Sequence, residues 1–292
     1  MRTDIVVGFD GSSGAESAVD WAAREADIQG VVLRIVTAEP WVPLSHGAPG
    51  AGAVPPRGNH HADSILAGGL LRAAEVLDDA HLEAAVIPGY APVALVRESG
   101  DAALVVVGHR EHGLAREYAT GSVALSVAMH SRCDVVVVPP GDTVTVGPDR
   151  PVVVGVDGSD GANRAARRAA QIASERGAVL ILVQAWLGRR DGRNGPPIGA
   201  GVTADEFTYF EGVANHSLEE TANQLAALHH GPSSQHQVVE TQPVAALVDA
   251  CQGAGLLVVG GRSLGGFRRM VLGSVSRAAV RRAKVPILVV RG

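Results

Sequence analysis

Short runs of branched apolar residues alternate along this chain with longer alanine-rich stretches. The first kind reads as strand and the second as helix. In the N-terminal half, strands are predicted over 4–9, 31–38, 82–87, 103–108 and 134–138. In the C-terminal half they are predicted over 151–156, 178–185, 237–241, 255–260 and 286–290. These runs read as apolar throughout rather than alternating, which is the pattern of parallel strands buried on both faces. Ser12 or Ser13 can cap a helix running to about residue 28, and Ser159 one running to about residue 176. Further helices are predicted over 63–79, 92–100 and 122–131, and over 204–229, 243–251 and 274–283. Pro92 and Pro243 stand near helix starts, where a missing N–H costs least. The resulting order, β-α-β-α-β-α-β-α-β in each half, implies α/β domains with an open parallel sheet, helices on both faces and right-handed crossovers.

The pattern occurs twice because the sequence does. Ile5-Val-Val-Gly-Phe-Asp-Gly-Ser-Ser-Gly14 returns as Val152-Val-Val-Gly-Val-Asp-Gly-Ser-Asp-Gly161, an offset of 147 (157 − 10). Leu104-Val-Val-Val-Gly108, followed by Gly121-Ser122-Val123, returns as Leu256-Leu-Val-Val-Gly260, followed by Gly273-Ser274-Val275, an offset of 152 (260 − 108). So long a period means two whole domains in tandem rather than a solenoid, and 292 residues suit two domains. The expected division is 1–140, a linker over 141–150, and 151–292. Two Pro/Gly-rich stretches, 39–61 and 187–202, follow the second strand of each half. They read either as mobile lids or rims, or as tolerated insertions.

Composition narrows the class. Aromatic residues make up 3% of the chain, so the core must be built from Val, Leu, Ala and Ile. A formal charge of −5 provides no basic field for nucleic acid or an acidic membrane, and neither is expected as a partner. Cys133 and Cys251 fall at unmatched places in the repeat, so they read as small core residues rather than a disulfide framework. No apolar stretch reaches about 18 residues, and the opening MRTDIVVGFD shows no apolar run before a cleavage site. A cytoplasmic location is expected on these grounds.

Two features recur at strand ends: Asp10 and Asp157 after the first strand, and Gly108 and Gly260 closing the fourth, with Gly121-Ser122 and Gly273-Ser274 downstream. In a doubly wound sheet ordered 3-2-1-4-5, strands one and four meet at the topological switch point, where ligands bind beyond the carboxyl ends. An Asp there can accept hydrogen bonds from ribose hydroxyls. Glycine lets backbone N–H groups approach a phosphate. A Gly-Ser helix start offers orphan donors and a positive dipole end to an anion. Taken singly, each Asp is as readily a turn or capping residue; its recurrence with the same partners favours the ligand reading.

Several other chemistries are disfavoured. Lys284 is the only lysine and follows Ala283, so no P-loop is present. Gly8, Gly11 and Gly14, like Gly155, Gly158 and Gly161, lack dinucleotide-fingerprint spacing. Gly261-Arg-Ser263-Leu-Gly265 matches a nucleophile elbow, but Gly266 follows where a helix should open, and the first half has Glu111 at the serine position. His60-His61, His229-His230, and His109 with His112 have no counterparts in the other half and read as solvated residues rather than metal ligands. Trp21, Trp41 and Trp186 read as core or rim packing, although Trp186 follows strand two, beside the expected base site.

The spacing Gly-x2-Gly-x9-Gly-Ser after an apolar strand, with a V-x-V-D-G-S type opening, resembles the universal stress protein family, and the resemblance covers both halves. It implies tandem nucleotide-binding domains of the ATP-binding subtype, packed as a pseudo-two-fold pair through their fifth strands. It also implies a stress-response sensor or regulator without dedicated catalysis or a metal ligand set. No general base stands out, so any hydrolysis should be slow. In the first half the resemblance points to Gly8, Asp10, Ala38, Gly108, Arg110, Gly121, Ser122 and Val123 as nucleotide-binding residues. In the second it points to Gly155, Asp157, Ala185, Gly260, Arg262, Ser263, Gly273, Ser274 and Val275. The implied cofactor is ATP, with Mg2+ its ordinary companion. The implied partners are an adenine nucleotide and an unidentified regulatory protein, and a homodimer is left open.

The match is unequal between the copies. The second motif glycine is Glu111 in the first half and Ser263 in the second. Residues 262–272 carry Arg262, Arg268 and Arg269 and no acid, whereas residues 110–120 set Arg110 and Arg116 against Glu111 and Glu117. The second half also keeps Ser276 where the first has Ala124. The second domain is therefore expected to be the stronger nucleotide site. The competing expectation is a non-nucleotide dimerising scaffold with decayed pockets. An adenylate-forming enzyme is disfavoured because no SGGxDS-type pyrophosphate loop is present.

Overall fold

The structure, a computed structural model, describes residues 4–40, 60–109, 122–141, 144–186, 204–227, 232–261 and 272–291. The chain divides into two compact units, Met1–Val144 and Thr145–Val290. The first unit runs β1 (Ile5–Gly8), α1 (Ser13–Gln29), β2 (Leu33–Glu39), α2 (His60–Ala73), a 3-10 turn (Asp79–His81), β3 (Leu82–Pro88), α3 (Ala91–Glu98), β4 (Leu104–Gly108), α4 (Ser122–His130) and β5 (Asp134–Val138). The second runs β6 (Val152–Gly155), α5 (Asp160–Glu175), β7 (Leu180–Trp186), α6 (Ala204–Ala226), β8 (Ser234–Glu240), α7 (Pro243–Ala250), β9 (Leu256–Gly260), α8 (Ser274–Arg282) and β10 (Ile287–Val290).

Within the first unit the strand order is β3-β2-β1-β4-β5, and within the second β8-β7-β6-β9-β10. Every pairing inside each unit is parallel, as the expected 3-2-1-4-5 order requires. Ile5 aligns with both Leu33 and Leu104, which places the carboxyl ends of β1, β2 and β4 side by side. In each unit the first two helices pack against each other, as do the last two, so each pair covers one face of the sheet. Ile5, Val7, Leu33, Ile35 and Val105 are fully buried, and each such side chain contributes roughly 1.5–3 kcal/mol of burial.

Alanine sets the spacing of the layers. Ala15, Ala18, Ala22 and Ala26 form one buried stripe on α1, and Ala162, Ala165, Ala169 and Ala173 form its counterpart on α5. Steps of three and four residues keep such a stripe on one face. Methyl-sized side chains let the helix backbone lie close to the strands, which matters for the site below.

The structure departs from expectation at the third strands. β3 and β8 are not buried on both faces; most of their residues are exposed or half-buried. Both are edge strands, with one neighbour each in their own unit, and β8 starts at the polar Ser234-Gln-His rather than at 237. Helix α2 also stops earlier, at Ala73, and a turn and the 3-10 segment take up the rest of the predicted span. Buried Leu77 and the paired acids Asp78 and Asp79 favour that turn over continued helix. Ser17 holds the chain after β5, donating to the Gly141 carbonyl and accepting from the Gly141 N–H, each at 3.1 Å.

Candidate functional site

Each unit carries a cleft where its first and fourth strands end. The first cleft, about 120 Å³, is lined among others by Gly8, Asp10, Ser12, Ala38, Leu95, Gly108, Val123 and Ala124. The second, about 130 Å³, is lined by Gly155, Asp157, Ser159, Ala185, Leu247, Gly260, Val275 and Ser276, together with Gly273 and Ser274. Every lining position of the first cleft has its counterpart in the second at an offset of 147 or 152. Only three pairs differ in residue: Phe9 and Val156, Ala91 and Pro243, and Ala124 and Ser276.

The Asp closing each first strand serves a turn as well as facing the cleft. Asp10 Oδ1 accepts the N–H of Ser12 at 3.1 Å and its hydroxyl at 2.5 Å. Asp157 Oδ1 accepts the N–H of Ser159 at 3.0 Å. Gly11 and Gly158, between them, take φ of 76° and 75°, a left-handed turn that only glycine adopts without strain. The serines then cap the helices: Ser12 Oγ accepts from Ala15 N–H and Ser159 Oγ from Ala162 N–H. A carboxylate has about four lone-pair sites, so the turn bonds of Asp157 leave it capacity to accept from a ligand.

The strand-end glycines answer to packing. A Cβ on Gly260 would stand 2.7 Å from the carbonyl carbon and oxygen of Gly161 at the start of α5. A Cβ on Gly108 would fall closer still on the Gly14 carbonyl, and one on Gly14 would collide with the carbonyl of His109. The helix mouth thus rests directly on the strand end, backbone on backbone. Gly8 and Gly155 make room instead for Leu95 of α3 and Leu247 of α7, which would lie 2.8 and 3.1 Å from an added Cβ. Glycine is required at Gly14, Gly108 and Gly260, where the neighbours are backbone, whether or not a phosphate arrives; at Gly8 and Gly155 the neighbour is the end of a leucine side chain that can shift. The partner glycines, Gly14 and Gly161, were legible only as a recurring Asp-Gly-Ser-x-Gly.

At the far wall of the second cleft, α8 opens after Gly273, which provides no side-chain cap. The amides of its first turn therefore lack intrahelical acceptors; Arg277 N–H to the Gly273 carbonyl is the first bond of the helix. Ser276 is buried, and its hydroxyl donates to the Gly260 carbonyl at 2.7 Å. That donor is therefore engaged within the protein and not offered to a phosphate. Arg110, Gly121, Arg262 and Ser263 lie outside the described residues, as do Glu111, Arg116, Glu117, Arg268, Arg269, Trp41, His112, His229, His230 and the stretches 41–59 and 187–203. Of Ser122 only its place at the start of α4 is described.

Among the described residues no group of three or more His, Cys, Asp or Glu could hold a metal ion, and no helix is long and apolar enough to cross a membrane. Neither Cys133 nor Cys251 is in a disulfide, and burial pushes the Cys251 thiol up to about 12. Trp186 ends β7, but the second cleft is lined by its neighbour Ala185. Pairs of residues rather than single ones were missed from the sequence: Ser12 and Ser159, Val36 and Val183, and Leu95 and Leu247 all line the clefts. Their signal was present in the repeat, because each pair is identical.

A tandem pair of doubly wound domains, each with a carboxylate and a helix mouth at its switch point, defines the class. The model of the universal stress protein family matches residues 1–139 and 150–291, and the chain belongs to that family. It is similar to the universal stress protein Rv2623 of Mycobacterium tuberculosis, with 32% identity covering 98% of this chain and 96% of that one. Rv1996 of the same organism is 33% identical, covering 98% and 94%. Among solved structures, a universal stress protein of Archaeoglobus fulgidus covers 100% of this chain and 99% of its own, with a TM-score of 0.66 at 18% identity. Universal stress proteins solved in complex with cAMP and with dAMP cover 48% and 49% of this chain, with TM-scores of 0.38 and 0.37.

Proposed function

We propose that this protein is an ATP-binding stress-response sensor or regulator without dedicated catalysis, and that its second domain is the stronger nucleotide site. The observation that carries this reading is the second cleft. It gathers Ala185 from β7, Asp157 beyond β6, Gly260 from β9 and the uncapped start of α8 around one space. Across such a cleft, base, ribose and phosphates would each meet a suited group: apolar backbone, a carboxylate, and orphan N–H donors at a positive helix end. In the sequence, Arg262, Arg268 and Arg269 precede that helix with no acid among them, while the first domain has Glu111 and Glu117 in the matching stretch. A sensor of this kind works only if ATP favours one conformation or assembly over another. Mg2+ would accompany the triphosphate, and a homodimer or a regulatory protein would read the state.

The test is direct. Full-length protein is denatured and its released small molecules are separated by chromatography, and refolded or apo protein is then titrated with ATP. Bound adenine nucleotide, lost in Asp157→Ala and largely retained in Asp10→Ala, is the expected result. The reverse ranking overturns the assignment of the stronger site. No nucleotide, with no thermal shift at millimolar ATP, favours the non-nucleotide scaffold. One observation bears on that second reading in both domains: Gly108 and Gly260 are held by their contacts with Gly14 and Gly161, so neither glycine needs a ligand to account for it.

A further inference from the structure

We propose that Ser276 is a positioning residue of the second cleft, one that bolts the mouth of α8 to the end of β9 and thereby preforms the phosphate half of the site. This rests on the nucleotide reading above and assigns the residue a role in it. Ser276 is the third residue of α8 and is 7% exposed. Its hydroxyl donates to the Gly260 carbonyl at 2.7 Å, and both residues line the cleft. Gly260 is in turn packed on Gly161 at the start of α5. One hydroxyl thus completes a frame of two helix mouths and a strand end, in which each part fixes the next.

The first domain lacks the bolt. Gly108 still packs on Gly14, but the residue matching Ser276 (276 − 152 = 124) is Ala124, which is buried and has no hydroxyl. At that position of α4 the contact with the strand is a methyl group rather than a hydroxyl. An array of amide donors binds an anion best when it is already spaced for it, because ordering the donors at the moment of binding costs affinity. The effect belongs to the phosphates. Ala185 and Asp157, the groups suited to base and ribose, sit on and beyond β7 and β6, whereas the bolt joins β9 to α8. A hydroxyl that merely stabilised the fold would weaken every ligand alike.

The experiment uses the full-length chain with Asp10→Ala to silence the first cleft. ATP, ADP and adenosine are titrated against the Ser276→Ala and Ser276→Thr variants. Loss of one net hydrogen bond should weaken ATP by about fivefold to tenfold in Ser276→Ala, with adenosine changed by less than about twofold and Ser276→Thr close to the parent. The converse variant, Ala124→Ser with Asp157→Ala, should tighten ATP at the first cleft. Equal losses for ATP and adenosine, or no loss for ATP, overturn the proposal. If the parent binds none of the three, the nucleotide reading fails. Amide hydrogen exchange in the first turn of α8 then decides the bolt itself: faster exchange in Ser276→Ala upholds it, and unchanged exchange ends it.

Discussion

The two halves agree where a helix mouth rests on a strand end, and differ in how the residue after the first strand packs against the second helix. In the first half the Phe9 ring lies against α2 at Gly69, where an added Cβ would stand 2.9 Å from the ring and 3.2 Å from Ile35. In the second half Val156 replaces Phe9, and the position matching Gly69 (221 − 152 = 69) holds buried Thr221, whose hydroxyl donates to the Ser217 carbonyl. Thr37, which donates to the Phe9 carbonyl, is matched by buried Gln184 (184 − 147 = 37). Volume has been exchanged between neighbours: a large residue beside none, or a medium one beside a medium one. A close-packed interior tolerates such paired changes and resists single ones. Gly108 and Gly260 had no such freedom, because their neighbours are main-chain atoms of Gly14 and Gly161 that cannot shrink.

That contrast can be broken most forcefully at the strand ends. Gly108→Ala should destabilise the first unit by about 3 kcal/mol, and Gly260→Ala the second by about 2 kcal/mol, since the first meets backbone at closer range. Hydrogen exchange resolved by unit measures both; a neutral effect at either position would mean the helix mouth can retreat. Next comes the packing of Phe9 against α2. Gly69→Ala should cost about 1–2 kcal/mol alone, yet become neutral or stabilising in Phe9→Val, where the better helix former prevails. A double-mutant cycle reads the coupling, and additivity would dismiss the idea of exchanged volume. Smaller again are the caps: Ser12→Ala and Ser159→Ala should each cost about 1 kcal/mol, measured by the same exchange. The least effect at neutral pH belongs to Cys251, which stands where the first half has Ser99 (251 − 152 = 99). Burial raises its thiol from an ordinary 9.0 to about 12. The folded thiol therefore stays neutral where the unfolded one ionises, and stability present below pH 9 should fall as pH climbs toward 12. Cys251→Ser should remove that alkaline loss from the second unit, as followed by pH-dependent unfolding.

Much of this was written in the residue pattern. The strands at the sheet centres, such as Ile5–Gly8 and Leu256–Gly260, announce themselves because burial on both faces demands unbroken apolar runs. β8 was harder to place, since an edge strand such as Ser234–Glu240 can be half polar and still pair. Asp10 and Asp157 could be read as site residues because they recur beside glycine and serine. The turn bonds they make to Ser12 and Ser159 are local and could have been anticipated from Asp-Gly-Ser. Nothing local could reveal that Gly108 rests on Gly14 or that Ser276 reaches Gly260, 16 residues upstream. Those contacts exist only once α1 and α8 have been laid on the sheet.

The contact between Gly14 and Gly108 has a bearing on how descent is read in such chains. A duplicate that stopped holding any cargo would go on keeping both glycines, because selection for a foldable protein is enough to retain them. They are therefore heirlooms of the architecture, and counting them in related genomes overstates how many copies are receptors. Acidic and hydroxylated positions, which the main chain does not crowd, are the ones whose loss would record a change of trade.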